Sequence, residues 1–204
     1  MIALVDYGAG NVRSVRRALE AVGGDVRLAC EPGPIRTAEK VVLPGVGAFA
    51  DCLSGLRRVG LLDALREAVG QDKPLLGICV GMQVMFEEGE EMGRHAGLGW
   101  LPGRVVRFPG DIVAEGLKIP HTGWNQIEPR GEHPLLHGLP RGGWAYFNYA
   151  YYCDASLEQV IATTDYGGPF ASVVERGEIY GVQFHPEKSQ RVGLGILRNF
   201  VQGW

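Results

Sequence analysis

The strongest chemical signal in the chain is a cysteine between a buried apolar run and a helical segment. Cys79 lies in the string GICVG at Gly77–Gly81 and directly follows the apolar run Pro74–Ile78. A nucleophile flanked by small residues at such a turn is typical of a nucleophile elbow, here with cysteine in place of serine. The turn would project the thiol from the carboxyl edge of a sheet, where open α/β folds bind ligands. The pattern predicts a catalytic nucleophile; the alternative is a small cysteine buried in the core.

The residues that follow Cys79 predict how negative charge on its sulfur would be stabilised. Val80–Glu88 has the pattern of a helix, and a helix N-terminus favours an anion at its first turn. The Val80 N–H would point at the same place and could stabilise an oxyanion. The other three cysteines have no such context, and we interpret them as small cysteines buried in the core: Cys30, Cys52 and Cys153.

A thiol nucleophile needs a base, and one of the five histidines is well placed to be it. His185 directly follows the apolar run Ile179–Phe184 and precedes Pro186 and Glu187. In an extended segment residues i and i+2 point the same way, and proline restricts the residue before it to extended conformations. Glu187 could therefore orient the His185 ring, as the third member of a triad does. The alternative is a surface His–Glu pair. Two further histidines lie in a polar loop, where we expect them to be solvated: His133 and His137.

A glycine-rich loop supplies a second candidate backbone donor. The string PGVGAF at Pro44–Phe49 follows the apolar run Lys40–Leu43, and glycines let backbone N–H groups approach a ligand closely. A donor at Gly47 beside the Val80 N–H would complete an oxyanion hole. The alternative is an ordinary turn between a strand and a helix. The turn Tyr7–Asn11 also contains two glycines but lacks the third glycine of a dinucleotide fingerprint.

The elements that must position these residues alternate in the first half of the chain. Four apolar runs predict buried strands, with helical patterns between most of them: Ile2–Val5, Val26–Ala29, Lys40–Leu43 and Pro74–Ile78. This order predicts an α/β fold with an open, mostly parallel sheet flanked by helices. The second half is mainly strands and turns, including single strands over Val105–Phe108 and Trp144–Cys153 and a hairpin at Arg176–Glu178, and it ends in a helix over Val192–Gln202. We therefore expect an antiparallel extension within a single domain, residues 1–204.

Composition excludes several functional classes. The chain has 204 residues, of which 46% are hydrophobic and 21% charged, as expected for a folded globular protein rather than a disordered one. No apolar run approaches the ~20 residues of a membrane span, and the N-terminus does not resemble a signal peptide. The net charge of −3, without a basic cluster, argues against nucleic-acid binding. The four cysteines have no metal-ligand spacing, so we expect no metal, reduced thiols and a cytoplasmic location.

Three strings taken together closely resemble the triad, or class I, glutamine amidotransferases. They are PGVGAF at Pro44–Phe49, GICVGMQ at Gly77–Gln83 and FHPEKS at Phe184–Ser189. The resemblance covers essentially the whole chain. It implies the fold of that family and hydrolysis of glutamine to glutamate and ammonia without a cofactor. It also implies a role for each matching residue: Cys79 as nucleophile, His185 as general base and acid, Glu187 as its orienter, Gln83 as a glutamine-binding residue, and Gly47 and Val80 as backbone donors.

A fourth string narrows the resemblance to one branch of the family. KIPHTGWNQ at Lys118–Gln126 is similar to members that pass ammonia to a (β/α)₈-barrel cyclase subunit of histidine biosynthesis. Such a partner is therefore implied, and we expect Trp124 at its interface because an exposed tryptophan suits one. The chain departs from that branch at Tyr149-Ala150, where relatives commonly carry His-Ser. Two alternatives stay open: a glutaminase that serves a different synthase, and a non-catalytic subunit that only docks on an enzyme.

The assignment of the nucleophile predicts the behaviour of one variant. Cys79→Ser is expected to abolish glutamine-dependent turnover, because a serine hydroxyl is far less readily ionised than a thiol. Synthesis from added ammonia by the complex should survive, since that chemistry lies on the partner. Both rates are measured on the complex, and glutamine turnover near the wild-type rate would exclude Cys79 as nucleophile.

Overall fold

Two β-sheets organise the chain. The computed structural model describes residues 1–139 and 142–203. The strands of these residues are β1 (Ile2–Val5), β2 (Val26–Ala29), β3 (Lys40–Gly45), β4 (Leu75–Cys79), β5 (Phe86–Gly89), β6 (His95–Ala96), β7 (Leu101–Arg107), β8 (His121–Pro129), β9 (Gly143–Tyr149), β10 (Tyr151–Ala155), β11 (Val160–Asp165), β12 (Pro169–Arg176) and β13 (Ile179–Val182). Nine of them form one sheet in the order β2-β1-β3-β4-β13-β12-β11-β8-β9.

The large sheet changes direction at its centre. The five strands from β2 to β13 run parallel, and those from β13 through β12, β11 and β8 to β9 pair antiparallel. The central strands β1 and β4 are buried along their whole length, as expected for parallel strands covered on both faces. The predicted parallel sheet with an antiparallel extension is therefore confirmed, and so is the hairpin, in which Arg176 pairs with Ile179.

Helices cover the faces of this sheet. They are α1 (Val12–Ala21), α2 (Pro32–Thr37), α3 (Phe49–Arg58), α4 (Leu62–Gly70), α5 (Val80–Gln83) and α6 (Gln190–Gln202). In α1 the buried residues recur at helical spacing: Val12, Val15, Ala18 and Leu19. The short helix α2 lies where the sequence suggested only a link. Across residues 1–139 and 142–203, no helix is long and apolar enough to cross a membrane.

A second, four-stranded sheet, in the order β10-β7-β5-β6, was not predicted, and it explains two errors of the sequence analysis. The helix expected over Val80–Glu88 is wrong beyond Gln83, because Phe86–Gly89 forms β5 of this sheet. Residues 80–86 are all buried, so their apolar side chains show no helical periodicity and are compatible with a helix or a strand. The single strand expected over Trp144–Cys153 is also wrong: the chain leaves the large sheet at Ala150 and continues as β10 in the small one.

The candidate site residues lie at one edge of the large sheet, where parallel strands end. Gly45, at the end of β3, pairs with Cys79, at the end of β4. The two backbones approach so closely that a Cβ atom on Gly81 would overlap the Leu43 carbonyl oxygen, and one on Gly45 would overlap the Gly81 nitrogen. Only glycine fits at these two positions, so the loop after β3 is held against the turn that carries the cysteine.

This close approach predicts a destabilising substitution. Gly81→Ala is expected to lower the free energy of unfolding by about 1–3 kcal/mol, because the added methyl group must displace the backbone of β3. Gly70→Ala is a matched control: Gly70 ends α4 with open space where its Cβ would be and without a positive φ. The two variants are compared by denaturant unfolding. An equally small effect of both would show that the contact between β3 and the turn is not tight.

Candidate active site

Cys79 occupies a strained turn between β4 and α5. Its φ is +55° and its ψ is −117°, a conformation that costs a non-glycine residue free energy and tends to occur at functional sites. The residue is 3% exposed. This is the elbow that the sequence predicts, but α5 contains only four residues. Support for negative charge on the sulfur must therefore come from nearby groups rather than from a long helix dipole.

His185 and Glu187 lie beside this turn because β13 pairs with β4. The chain leaves β13 at Val182 and enters a 3₁₀ turn at Pro186–Lys188. His185 Nδ1 lies 3.0 Å from Glu187 Oε1, and both side chains are buried. The His185 backbone is fixed at both polar groups: its N–H donates to the Tyr146 carbonyl at 2.9 Å, and its carbonyl accepts from the Ser189 hydroxyl at 2.6 Å.

The electrostatics couple the three residues into one unit. Burial alone would lower the pKa of His185, but hydrogen bonds and charges of Cys79 and Glu187 outweigh it and raise that pKa above its ordinary value. Burial alone would raise the pKa of Glu187, but the hydrogen bond and charge of His185 outweigh it, helped by the Glu187 backbone and Asn11, and lower it. Both directions favour an imidazolium ion at His185 paired with an ionised Glu187 carboxylate.

A cavity of about 110 Å³ opens at the cysteine. It brings together most of the residues predicted from the sequence: Gly47, Cys79, Val80, Gln83 and His185. Gly47 has a φ of +86°, which is accessible to glycine with little strain. The opposite wall is the segment Asn148–Tyr151, at the crossing between the two sheets. The fold therefore places the candidate nucleophile, the candidate base and both candidate backbone donors around one small cavity.

Gln83 holds this cavity together. Its side-chain nitrogen donates to the Tyr151 carbonyl at 3.1 Å and to Gln183 Oε1 at 3.0 Å, and the residue is 3% exposed. The Gln183 amide nitrogen in turn lies 3.9 Å from the Cys79 sulfur. The Gln83 amide thus links α5, the helix after Cys79, to the opposite wall of the cavity.

Glu91 also lines the cavity with its carboxylate and was not predicted from the sequence. Glu91 Oε2 accepts a hydrogen bond from the Phe49 N–H at 2.8 Å, which fixes the carboxylate at the start of α3. Among the described residues that line the cavity it is the only one with a carboxylate. The acidic run Glu87–Glu91 was visible in the sequence, but the helix expected there could not place it, because β5 turns the chain toward the cavity.

The replacement at Tyr149-Ala150 has a structural partner. The Tyr149 hydroxyl lies 3.3 Å from His121 Nδ1. The His121 ring stacks on Tyr166 at 3.8 Å and on Phe147 at 5.1 Å between centroids. Burial lowers the pKa of His121 to about 4, so the ring is neutral near pH 7. Tyr149 is thereby anchored to a buried aromatic stack and fixes the end of β9 at the cavity wall.

The other thiols are not activated. Cys52 and Cys153 are buried, and burial raises the pKa of Cys52 to about 12 and that of Cys153 well above its ordinary value. Cys30 is exposed, and its pKa is raised by partial burial and by Asp6. The expectation of a cysteine buried in the core is therefore confirmed for Cys52 and Cys153 and wrong for Cys30.

Trp124 lies on the surface and outside the cavity. It is 43% exposed on β8 and packs edge-on against Tyr146 of β9, with 6.1 Å between ring centroids. The Lys188 ammonium lies 5.4 Å above the other ring of this pair, that of Tyr146. Because the Tyr146 carbonyl accepts from the His185 N–H, this surface is in direct hydrogen-bond contact with the candidate base.

A larger groove of about 1000 Å³ lies elsewhere and contains none of the predicted site residues. It is lined by residues 128–134 and 136–139 and by the end of α6. One wall contains His133, which we expected to be solvated. That expectation is wrong: His133 Nε2 lies 2.8 Å from Glu175 Oε2, and its Nδ1 accepts from the Leu135 N–H. Over residues 1–139 and 142–203, no cluster of three His, Cys, Asp or Glu side chains is arranged to hold a metal.

Comparison with known proteins agrees with the geometry. The family model for class I glutamine amidotransferases matches residues 3–204. Imidazole glycerol phosphate synthase subunit HisH of Syntrophotalea carbinolica is 49% identical over 98% of both chains, and that of Dehalococcoides mccartyi is 49% identical over 99% of this chain and 97% of its own. A crystal structure of a glutamine amidotransferase has the same fold, with a TM-score of 0.76 at 20% identity over 99% of this chain and 98% of its own.

The geometry of the triad predicts unequal effects of two substitutions on glutamine hydrolysis. His185→Ala removes the base, whereas Glu187→Gln keeps a group that can hold the ring but cannot stabilise the imidazolium. We expect kcat to fall further in His185→Ala, by roughly 10- to 100-fold relative to Glu187→Gln. Steady-state kinetics on both folded variants test this. Wild-type kcat in Glu187→Gln would remove Glu187 from the triad.

Proposed function

We propose a catalytic mechanism for a chain that belongs to the class I glutamine amidotransferase family and, within it, to the HisH subunits of imidazole glycerol phosphate synthase. The chain is a glutaminase: it hydrolyses glutamine and supplies the ammonia for imidazole glycerol phosphate formation in histidine biosynthesis. The observation that carries the mechanism is the placement of Cys79, His185 and Glu187 at one cavity.

In the first half-reaction the Cys79 thiolate attacks the side-chain amide carbon of glutamine. The negative charge that develops on the amide oxygen is stabilised by the N–H groups of Val80 and Gly47, which both line the cavity. The Nδ1 atom of His185 stays hydrogen-bonded to Glu187. The Nε2 atom is therefore free to donate its proton to the departing nitrogen of the substrate. Ammonia leaves, and a glutamyl thioester remains on Cys79.

In the second half-reaction water cleaves the thioester. The His185 ring, now neutral, removes a proton from the attacking water, and the same two N–H groups stabilise the second oxyanion. The carbon–sulfur bond breaks, glutamate leaves, and the thiolate–imidazolium pair forms again. Glu187 stays ionised throughout and holds the tautomer with the proton on Nδ1.

The Glu91 carboxylate selects glutamine by binding the α-ammonium group of the substrate. A free amino acid carries one positive charge beside its carboxylate, and a carboxylate is the natural partner for that charge. The Glu91 carboxylate lines the cavity and is held by the Phe49 N–H. Gln83 and the backbone of Asn148–Tyr151 form the remaining wall, which offers polar groups to the rest of the substrate.

The partner is a cyclase subunit with a (β/α)₈-barrel fold, bound as a heterodimer through the surface around Trp124. The exposed pair of Trp124 and Tyr146 supports this position, because aromatic residues are enriched at interfaces.

Residues 1–204 act as one domain, since the large sheet joins strands from both ends of the chain. The four free cysteines support a cytoplasmic location.

The isolated chain is a poor enzyme. Free ammonia is protonated at neutral pH and is then no nucleophile, so uncoupled hydrolysis would waste glutamine. The control point is Gly45-Val46-Gly47, where Val46 is 37% exposed and Gly47 has a positive φ. One peptide flip in this loop would exchange an oxyanion donor for a carbonyl, and ligand on the cyclase would favour the donor.

This gating predicts the outcome of one comparison. Glutamine hydrolysis is measured on the chain alone, with the cyclase subunit, and with the cyclase plus its ribotide ligand. We expect the rate of glutamine hydrolysis with cyclase and ligand to exceed that of the chain alone by about 5- to 150-fold or more. The range of about 5- to 150-fold is that of typical allosteric couplings. Full activity of the chain alone would contradict the gating but not the triad.

A further inference from the structure

The turn between β1 and α1 contributes a side chain to the triad that no sequence motif assigned. Asn11 Nδ2 donates to Glu187 Oε1 at 3.1 Å, across 176 residues of sequence. The same oxygen faces His185 Nδ1 at 3.0 Å. Glu187 therefore has one oxygen with two side-chain donors, and Asn11 is one of them.

The Glu187 carboxylate depends on few donors. Its side chain is 0% exposed, and its second oxygen, Oε2, is buried with no hydrogen-bond partner among the described residues. A buried carboxylate is expensive unless donors compensate for the lost water. Each time His185 gives up its proton during turnover, the positive charge beside Glu187 disappears, and the neutral Asn11 donor remains.

The position of Asn11 in α1 gives a second, independent reason. Asparagine is favoured as the residue before a helix because its side chain usually accepts from an N–H of the first turn. Asn11 is that residue for α1, yet it makes no such side-chain bond. Its carbonyl accepts from the Val15 N–H at 3.0 Å and begins the helix, while its side chain turns to Glu187. The side chain therefore serves the triad rather than the helix.

The turn is shaped for this contact. Gly8 and Gly10 have φ values of +87° and +111°, which are strained for other residues. A Cβ on Gly10 would lie 3.7 Å from Pro44, so the turn packs against the end of β3. The edge that carries Cys79 thus also fixes Asn11.

We propose that Asn11 is a positioning residue of this glutaminase, which holds the Glu187 carboxylate so that its Oε1 faces His185 Nδ1 through both half-reactions. The inference rests on the proposed triad. Asn11 touches neither substrate nor the reacting atoms and acts through Glu187 alone. Its removal should therefore lower kcat and leave the binding of glutamine unchanged.

A double-mutant cycle on the complex with the cyclase subunit tests this. Asn11→Leu is expected to lower kcat for glutamine about 10-fold, as for loss of a hydrogen bond to a charged group, with KM within about twofold. In the Glu187→Ala background the same change should lower kcat by less than about twofold, because the group through which Asn11 acts is gone. Asn11→Asp keeps the shape of the side chain but places a second carboxylate, which cannot donate, against Glu187. It should also lower kcat about 10-fold, and it replaces the leucine variant in the test if that variant does not fold.

The control separates the triad from helix stability. Arg16→Ala removes an exposed ion pair with Glu20 on the same helix and should leave kcat within about twofold of wild type. A wild-type kcat in Asn11→Leu would overturn the inference about Asn11, and so would an equal effect of that change with and without Glu187. The proposed triad would still stand in either case, provided that Glu187→Ala has low activity. Wild-type activity of Glu187→Ala would instead overturn the proposed triad itself.

Discussion

The site depends on one constraint, the strained backbone of Cys79. Its φ of +55° places the thiol at the sheet edge, and such a conformation costs on the order of 1–3 kcal/mol and persists only where the surroundings enforce it. The enforcing contact is the packing of β3 against the turn at Gly45 and Gly81, where no side chain fits. The same contact brings the Gly45–Gly47 loop beside the nucleophile, so the strain of the turn and the placement of the second backbone donor have one cause.

The buried charges explain why the triad is assembled from distant segments. Removing a carboxylate and an imidazolium from water is costly unless each meets a partner. His185 and Glu187 are separated by one residue and come from a single segment, so their other partners come from elsewhere in the chain: the Cys79 sulfur from the end of β4 and a neutral donor, Asn11, from the turn after β1. Parallel strands deliver these groups to one edge. Replacing any one of them changes the charge balance of the others, so their effects on catalysis should not be additive.

The parts of the site predictable from sequence were those with short-range patterns. The elbow at Cys79 and the spacing of His185 and Glu187 are local, and strand ends of a parallel sheet fall at a common edge, so their meeting could be anticipated. Glu91 and Asn11 could not be found this way. Glu91 reaches the cavity only because residues 86–89 leave the expected helix and enter the second sheet, and a buried apolar run has no periodicity that decides between the two. Asn11 has the residue type of an ordinary helix cap, and only the tertiary structure shows that its side chain turns elsewhere.

The ionisation of His185 tests the coupling of the triad most directly. The pKa of this ring is expected to lie above the ordinary value of about 6.5, because the Cys79 and Glu187 side chains together outweigh its burial. NMR titration of the histidine resonances measures this pKa. The resonance of His185 is identified as the one that is absent from the spectrum of His185→Ala. We expect a raised pKa in the wild-type chain and a lower one in Cys79→Ala. An ordinary or lowered pKa in the wild-type chain would contradict the ion pair on which the mechanism is built.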